Sequence, residues 1–375
     1  MKTCHIYFYD GWLSLSPTTI GIAKFLGQIF DKVVIYAQKT QFKEYRFDEK
    51  NITVHYIYNS FYWKKSDKPY NFAKKVKKLV KKEGFDKEND WFVCIDTSSL
   101  EPVSEIIENS NNVIYLTLEL PNTDYVSTQK ESELFNRMKA VMVQDENRLN
   151  TLKQVYRAPE IEQRAKIIYL PNNSIPNKSK KELVGVGEQF KNIPQGKAKC
   201  ASIGMIENTV YSYEIAKVFS QLDNSVLIYH NRIKVNKKRD IVKKIMAVNN
   251  RNLYLSNLVY DFEDIEYAYK GFDIGIACYN PMNADFKFIG KASGKLNYYM
   301  MYDIPVIVNR LPALAELVEQ YNCGVVIDNV EDVQEWKNAI DRIMSDYGGY
   351  KSRVSECYKC EFDFLEKIKP LKDVF

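Results

Sequence analysis

The chain alternates short, almost purely apolar runs with stretches of helical spacing, and it does so in two series rather than one. Apolar runs without polar alternation are strands buried on both faces, and such strands separated by helices build parallel sheets. The first series comprises His5–Tyr9, Lys32–Tyr36, Thr53–Ile57, Trp91–Ile95, Asn112–Leu116, Ala140–Val143 and Lys166–Leu170. Between its first two runs, Ile22, Phe25, Leu26 and Ile29 fall at helical spacing and predict a helix from Thr18 to Phe30. The second series comprises Ala201–Ile203, Ser225–Tyr229, Leu253–Leu255, Ile274–Cys278, Pro305–Val308 and Gly324–Ile327. Its expected helices are Tyr211–Leu222, Lys238–Val248, Asp264–Tyr269, Lys295–Tyr302, Ala313–Tyr321 and Val333–Asp346.

Between the two series, Ser174 to Lys199 is rich in Lys, Gly, Pro and Asn and reads as an interdomain linker. The expected organisation is therefore an α/β domain over 1–175, a second over 176–350, and a helical segment over 351–375 with the option of packing back on the first. A length of 375 residues agrees, since it exceeds what one core supports. Two open sheets joined in this way are expected to face each other across a cleft, with ligands at the carboxyl ends of the strands.

Composition removes several function classes. Formal charge is only +5, from 53 basic and 48 acidic residues, without the clustered excess of a nucleic-acid binder. No run approaches the roughly 18 apolar residues of a spanning helix, and the N-terminus lacks a signal-peptide core. The expectation is a cytoplasmic protein, at most peripheral to the inner face of the plasma membrane. Seven cysteines then read as reduced thiols, with Cys357-Tyr358-Lys359-Cys360 lacking the second pair of a metal site. Three histidines leave little for a metal centre, and none is expected.

The chemistry concentrates in Ala292-Ser293-Gly294-Lys295-Leu296-Asn297-Tyr298-Tyr299-Met300, followed by Asp303-Ile304-Pro305-Val306-Ile307-Val308. Ser293-Gly294 stands where a loop enters a helix, so unpaired N–H groups and the positive helix end attract an anion. Gly294 permits close approach, the Ser293 hydroxyl can donate, and Lys295 adds a full charge. A diphosphate suits this set. The same residues also fit a plain helix cap followed by a solvated lysine.

The order strand, loop, Ser-Gly-Lys helix with Tyr-Met, Pro-Val-Ile strand, helix with Glu, and Gly-Val-Val resembles the C-terminal domain of GT-B glycosyltransferases. It is most similar to retaining bacterial-type transferases that build surface polysaccharides. Val226–His230 and the junction Ile168-Tyr169-Leu170-Pro171-Asn172 extend the resemblance loosely over the chain, while its specific part spans about forty residues. The resemblance implies two Rossmann-like domains, a UDP- or GDP-linked sugar donor, no further cofactor, and a glycan or lipid-linked glycan acceptor. It implies that Ser293, Gly294 and Lys295 hold the donor diphosphate, with Lys295 stabilising its departure. Gly204, after the first strand of the second domain, is expected to approach the donor phosphates, or to serve as a turn. Gly11, after the first strand, marks the loop that faces the cleft. Glu119 and Asp96, at strand ends of the first domain, are candidates to receive the acceptor proton, or to cap turns.

The sequence also departs from the pattern. Tyr298 stands where relatives carry a ribose-gripping Glu, Gly290 where they carry an upstream Glu, and Asp303 where they carry Gly. Tyr298 is expected either to hydrogen-bond the ribose or to lie in the core. A non-catalytic relative and a nucleotide-sugar epimerase are the alternatives, the second disfavoured by so few histidines. Finally, Phe72 to Lys82 sets an apolar stripe among six lysines, with Phe61-Tyr62-Trp63-Lys64-Lys65 upstream. It reads as a solvated helix with its apolar side on the core, or as a peripheral contact with an anionic membrane.

Overall fold

A computed structural model describes every residue except 1, 60–63, 65–66, 108–109, 123, 174, 176–180 and 249–250. The aromatic run Phe61–Trp63 and residues 174 and 176–180 of the expected linker fall outside the described residues. The chain divides into two compact units, Met1–Ile175 with Phe364–Phe375, and Pro176–Asp363.

The first unit runs β1 (Thr3–Phe8), α1 (Pro17–Leu26), β2 (Lys32–Lys39), β3 (Ile52–Tyr58), α2 (Lys68–Glu83), β4 (Trp91–Ile95), α3 (Thr97–Ile107), β5 (Val113–Leu116), α4 (Gln129–Phe135), β6 (Ala140–Val143), α5 (Glu146–Val155), α6 (Ile161–Arg164) and β7 (Lys166–Tyr169). Its seven strands lie in the order β3-β2-β1-β4-β5-β6-β7, every described pairing being parallel. Ile6 of β1 sits beside Ile35 of β2 and Val93 of β4, all fully buried. Helices on both faces explain why these strands lack polar alternation.

The second unit runs β8 (Ala198–Ile203), α7 (Ser212–Phe219), β9 (Ser225–His230), α8 (Asp240–Ala247), β10 (Leu253–Leu255), β11 (Ile274–Ala277), α9 (Ala284–Lys287), α10 (Gly294–Met301), β12 (Val306–Asn309), α11 (Pro312–Tyr321), β13 (Gly324–Ile327), α12 (Val333–Ser345) and α13 (Tyr347–Cys357). Its six strands lie in the order β10-β9-β8-β11-β12-β13, again parallel. The helix expected over Asp264–Tyr269 is a 3-10 helix, Phe262–Ala268.

The described part of the Ser174–Lys199 stretch is more than a connector. Val186 is fully buried, its N–H donates to the Tyr267 carbonyl at 2.9 Å, and the Gly187 N–H donates to the Lys270 carbonyl at 3.0 Å. A side chain at 187 would collide with the Gly271 carbonyl oxygen, 2.0 Å from an added Cβ, so two glycines let the backbones touch. The polar composition masked this docking.

In the C-terminal segment, Val354, Cys357 and Phe362 are buried within the second unit through α13 and a π-helical turn, Tyr358–Phe362. The chain joins the first unit at Phe364, later than the position 351 suggested by helical pattern. There α14 (Phe364–Ile368) sets the Phe364 ring on Gly21 of α1, and Phe375 packs edge-on against Phe30 and Trp91 at 4.9 and 4.8 Å. All seven cysteines are free, and only Cys360 is exposed. Among the described residues, no helix is long and apolar enough to cross a membrane.

Candidate functional site

In the second sheet β8 and β11 are neighbours, yet the chain leaves β8 toward β9 on one side and β11 toward β12 on the other. Such a switch point opens a crevice beyond the strand ends. The residues that leave these strands are Gly204 after β8, Arg232 after β9 and Tyr279 after β11.

Tyr279 organises the edge. Asn309, at the end of β12, accepts the Tyr279 N–H at 2.9 Å and donates to its carbonyl at 2.8 Å. The Tyr279 phenol in turn hydrogen-bonds the Ser293 hydroxyl. Ser293 caps α10, its Oγ accepting the Leu296 N–H at 3.1 Å. Asn297, fully buried one turn on, donates to the Ser293 carbonyl at 2.7 Å and to the Lys291 carbonyl at 2.9 Å. The loop into α10 is thus fixed from three sides. The N–H groups of Gly294 and Lys295 precede the first in-helix bond and have no acceptor among the described residues.

Two cations flank those amides. The Lys295 ammonium lies 4.9 Å above the Tyr279 ring. Burial brings it down to about 8, against a slight opposing pull from the Cys278 thiol. The Arg232 guanidinium lies 5.6 Å over the Tyr298 ring and hydrogen-bonds the Tyr269 phenol. One of its terminal nitrogens would lie 3.6 Å from a Cβ placed on Gly294, so it borders the helix start. Burial, reinforced by Arg232, holds His230 neutral by lowering it to about 4. An edge with free amides, a hydroxyl and two cations is suited to a multivalent oxyanion.

The structure gathers Ser293, Gly294 and Lys295 at this edge. Gly204 lies on the same sheet edge: its φ is +112, its N–H donates to the His230 carbonyl at 2.8 Å, and open space faces its missing Cβ. Tyr298 is only 2% exposed and stacks on Tyr269 at 5.0 Å and on Tyr302 at 6.4 Å. Its ring supports Arg232 from within the core. Asp303 has φ +55, the left-handed conformation that a glycine takes after a helix, which Asp tolerates better than most residues.

Gly11 and Glu119 belong to the first unit. Gly11 follows β1 with φ +135, and an added Cβ would meet the Phe8 ring at 2.7 Å. Glu119 is exposed beyond β5, and its N–H donates to the Asp96 carboxylate at 3.0 Å. Asp96 follows β4 with φ +57, accepts a second N–H from Leu118 at 2.6 Å, and is pushed up to about 7 by burial. β1 and β4 are the switch point of the first sheet, so Gly11 and Asp96 mark its crevice.

Sequence reasoning passed over Arg232, Tyr279 and Asn309. The signal for Arg232 was present: it follows a buried strand by two residues, the positional rule that selected Gly204.

Residues 279–359 match the family model described as Glucosyltransferase 3-like, C-terminal domain. No curated protein matches the chain. Among solved structures, the sucrose-phosphate synthase of Thermosynechococcus elongatus superposes with a TM-score of 0.70 at 12% identity, over 100% of this chain and 98% of that one. Anabaena HepE, solved in complex with UDP and glucose, gives 0.68 at 13% identity over 98% of both chains. WaaG, a glycosyltransferase involved in lipopolysaccharide biosynthesis, gives 0.62 at 13% identity over 99% and 98%. Likeness at this identity speaks for architecture, and the two parallel α/β units of this chain have the GT-B fold.

Proposed function

We propose that the chain is a glycosyltransferase that moves a hexose from a UDP- or GDP-linked donor to a glycan or lipid-linked glycan acceptor. The observation that carries this reading is the positive edge at α10, formed by the Gly294 and Lys295 amides, the Ser293 hydroxyl, Lys295 and Arg232. The match over 279–359 spans α10, and the HepE structure holds UDP and glucose.

Transfer breaks the bond between the anomeric carbon and the phosphate oxygen, and the electron pair leaves with the diphosphate. The new bond forms from the acceptor hydroxyl, whose proton is lost. Charge develops on the departing oxygen, so fixed cations and amides there lower the barrier more than they tighten ground-state binding. We assign that role to Lys295, with Arg232 beside it, and the donor phosphates to Ser293, Gly294 and the Gly204 turn. In the first unit, exposed Glu119 is assigned the acceptor proton, with Asp96 ordering its loop. Retention of configuration rests on the sequence resemblance.

A second reading, a non-catalytic relative, draws on Tyr298, whose burial takes its phenol out of the role of a ribose-gripping carboxylate. The discriminating experiment incubates the protein with a panel of UDP- and GDP-hexoses and quantifies free nucleoside diphosphate. At least one donor should turn over, and Lys295→Ala should slow it by roughly tenfold or more while leaving the fold intact. Absence of turnover and of binding for every donor would favour the second reading.

A further inference from the structure

Helix α2 carries a feature that the donor site leaves unused. Phe72, Val76 and Val80 are buried, and the Phe72 ring meets Tyr7 at 5.3 Å and Tyr9 at 5.2 Å. With 3.6 residues per turn, Lys74, Lys77, Lys78, Lys81 and Lys82 therefore occupy the opposite side of the helix. All five are exposed. Their spacing of three, four, seven and eight residues makes one stripe of roughly 12 Å along the axis. None of the five has an ion-pair partner among the described residues, whereas several lysines elsewhere on this unit are paired, among them Lys32 with Glu83, Lys130 with Glu105, and Lys153 with Glu162. Tyr70, 68% exposed, projects from the same side at the start of the stripe.

Like charges three and four residues apart on a helix repel each other, so this face would be relieved by a surface of opposite sign. We propose that the Lys74–Lys82 face of α2, with Tyr70, docks on an anionic lipid membrane. Three observations favour a membrane over a nucleic acid or an acidic peptide. The stripe lies on the outer side of a helix, a convex surface. It is built of lysine, a hydrated point charge that suits delocalised attraction rather than forked phosphate recognition. Its one exposed aromatic is a tyrosine, whose apolar ring and polar tip match the headgroup level. Because the apolar side of α2 is spent in the core, the contact is electrostatic and lies on the surface, and is therefore screened by salt.

The test is flotation of the full chain with vesicles of phosphatidylcholine alone and with about a quarter phosphatidylglycerol, at about 0.1 M and about 0.5 M salt. The expected result is binding to the anionic vesicles only, lost at high salt. The double variant Lys78→Gln/Lys81→Gln should bind at least about tenfold more weakly, and Lys78→Arg/Lys81→Arg should bind like the parent. Circular dichroism and UDP-glucose affinity should be unchanged in both variants, which separates failure here from failure of the donor site. Equal binding to neutral vesicles, undiminished binding by the glutamine variant, or retention by RNA with none by anionic vesicles would each overturn the proposal.

Discussion

Lys295 is held in a setting that costs its charge something, which is how functional cations are commonly kept. Burial lowers its ammonium to about 8, from 10.5 in the open chain. Between those values the unfolded chain binds a proton that the folded one has released, so stability rises with pH across that window. Below about 8 the charge is present and its desolvation cost is carried. Two consequences follow at this residue. Donor affinity should fall as pH rises through about 8, and Lys295→Arg should remove the fall because a guanidinium stays charged. Calorimetric titration at about pH 7 and about pH 9 checks this; a parallel decline in the arginine variant would contradict it. Lys295→Met, in turn, should unfold at higher denaturant than the parent near neutral pH.

At the scale of elements, α10 is clamped across the sheet rather than merely laid on it. The Tyr299 ring covers Gly275 of β11, where an added Cβ would lie 2.5 Å from the ring. Its hydroxyl then donates to the Ala201 carbonyl at 2.8 Å and accepts the Ile203 N–H at 3.2 Å, tying α10 to β8. Gly275→Ala should therefore cost about 1–3 kcal/mol in urea unfolding, by forcing a ring that has nowhere to move; an unchanged midpoint would show that the clamp gives way. Elements of this kind differ in how far sequence reveals them. The inner strands were legible because a strand buried on both faces must be a near-continuous apolar run, as Val33-Val34-Ile35 and Ile274-Gly275-Ile276 are. The α10 start was legible because a serine cap and a glycine stand in local order. Arg232 and Asn309 were not, because they reach the loop from strands about 60 residues before it and about 15 after it, and only pairing brings them together. Nor was the Val186 docking, since Lys, Gly and Pro around it suggest solvent. The Asp303 departure has a backbone explanation, a left-handed φ, that the letters alone do not state.

For the whole molecule, the chain's end, Phe364–Phe375, is a structural part of the first unit. Phe364, Ile368 and Leu371 are fully buried there. At about 1.5–3 kcal/mol per fully buried apolar side chain, an upper estimate, their loss is comparable to the entire stability of a domain. Truncation after Asp363 should expose the amides of β1, β2 and β4 to hydrogen exchange while leaving β8, β9 and β11 protected; unchanged protection in β1 would contradict that assignment. The second unit carries the α10 edge on its own sheet, so its oxyanion chemistry can be measured directly. The decisive measurement is calorimetric titration of UDP and GDP, free and sugar-linked, into the parent chain and into Arg232→Ala. One nucleoside diphosphate should bind the parent, and the variant should bind it roughly tenfold or more weakly with its fold intact. Equal affinity in parent and variant, or no diphosphate bound by either, would contradict it.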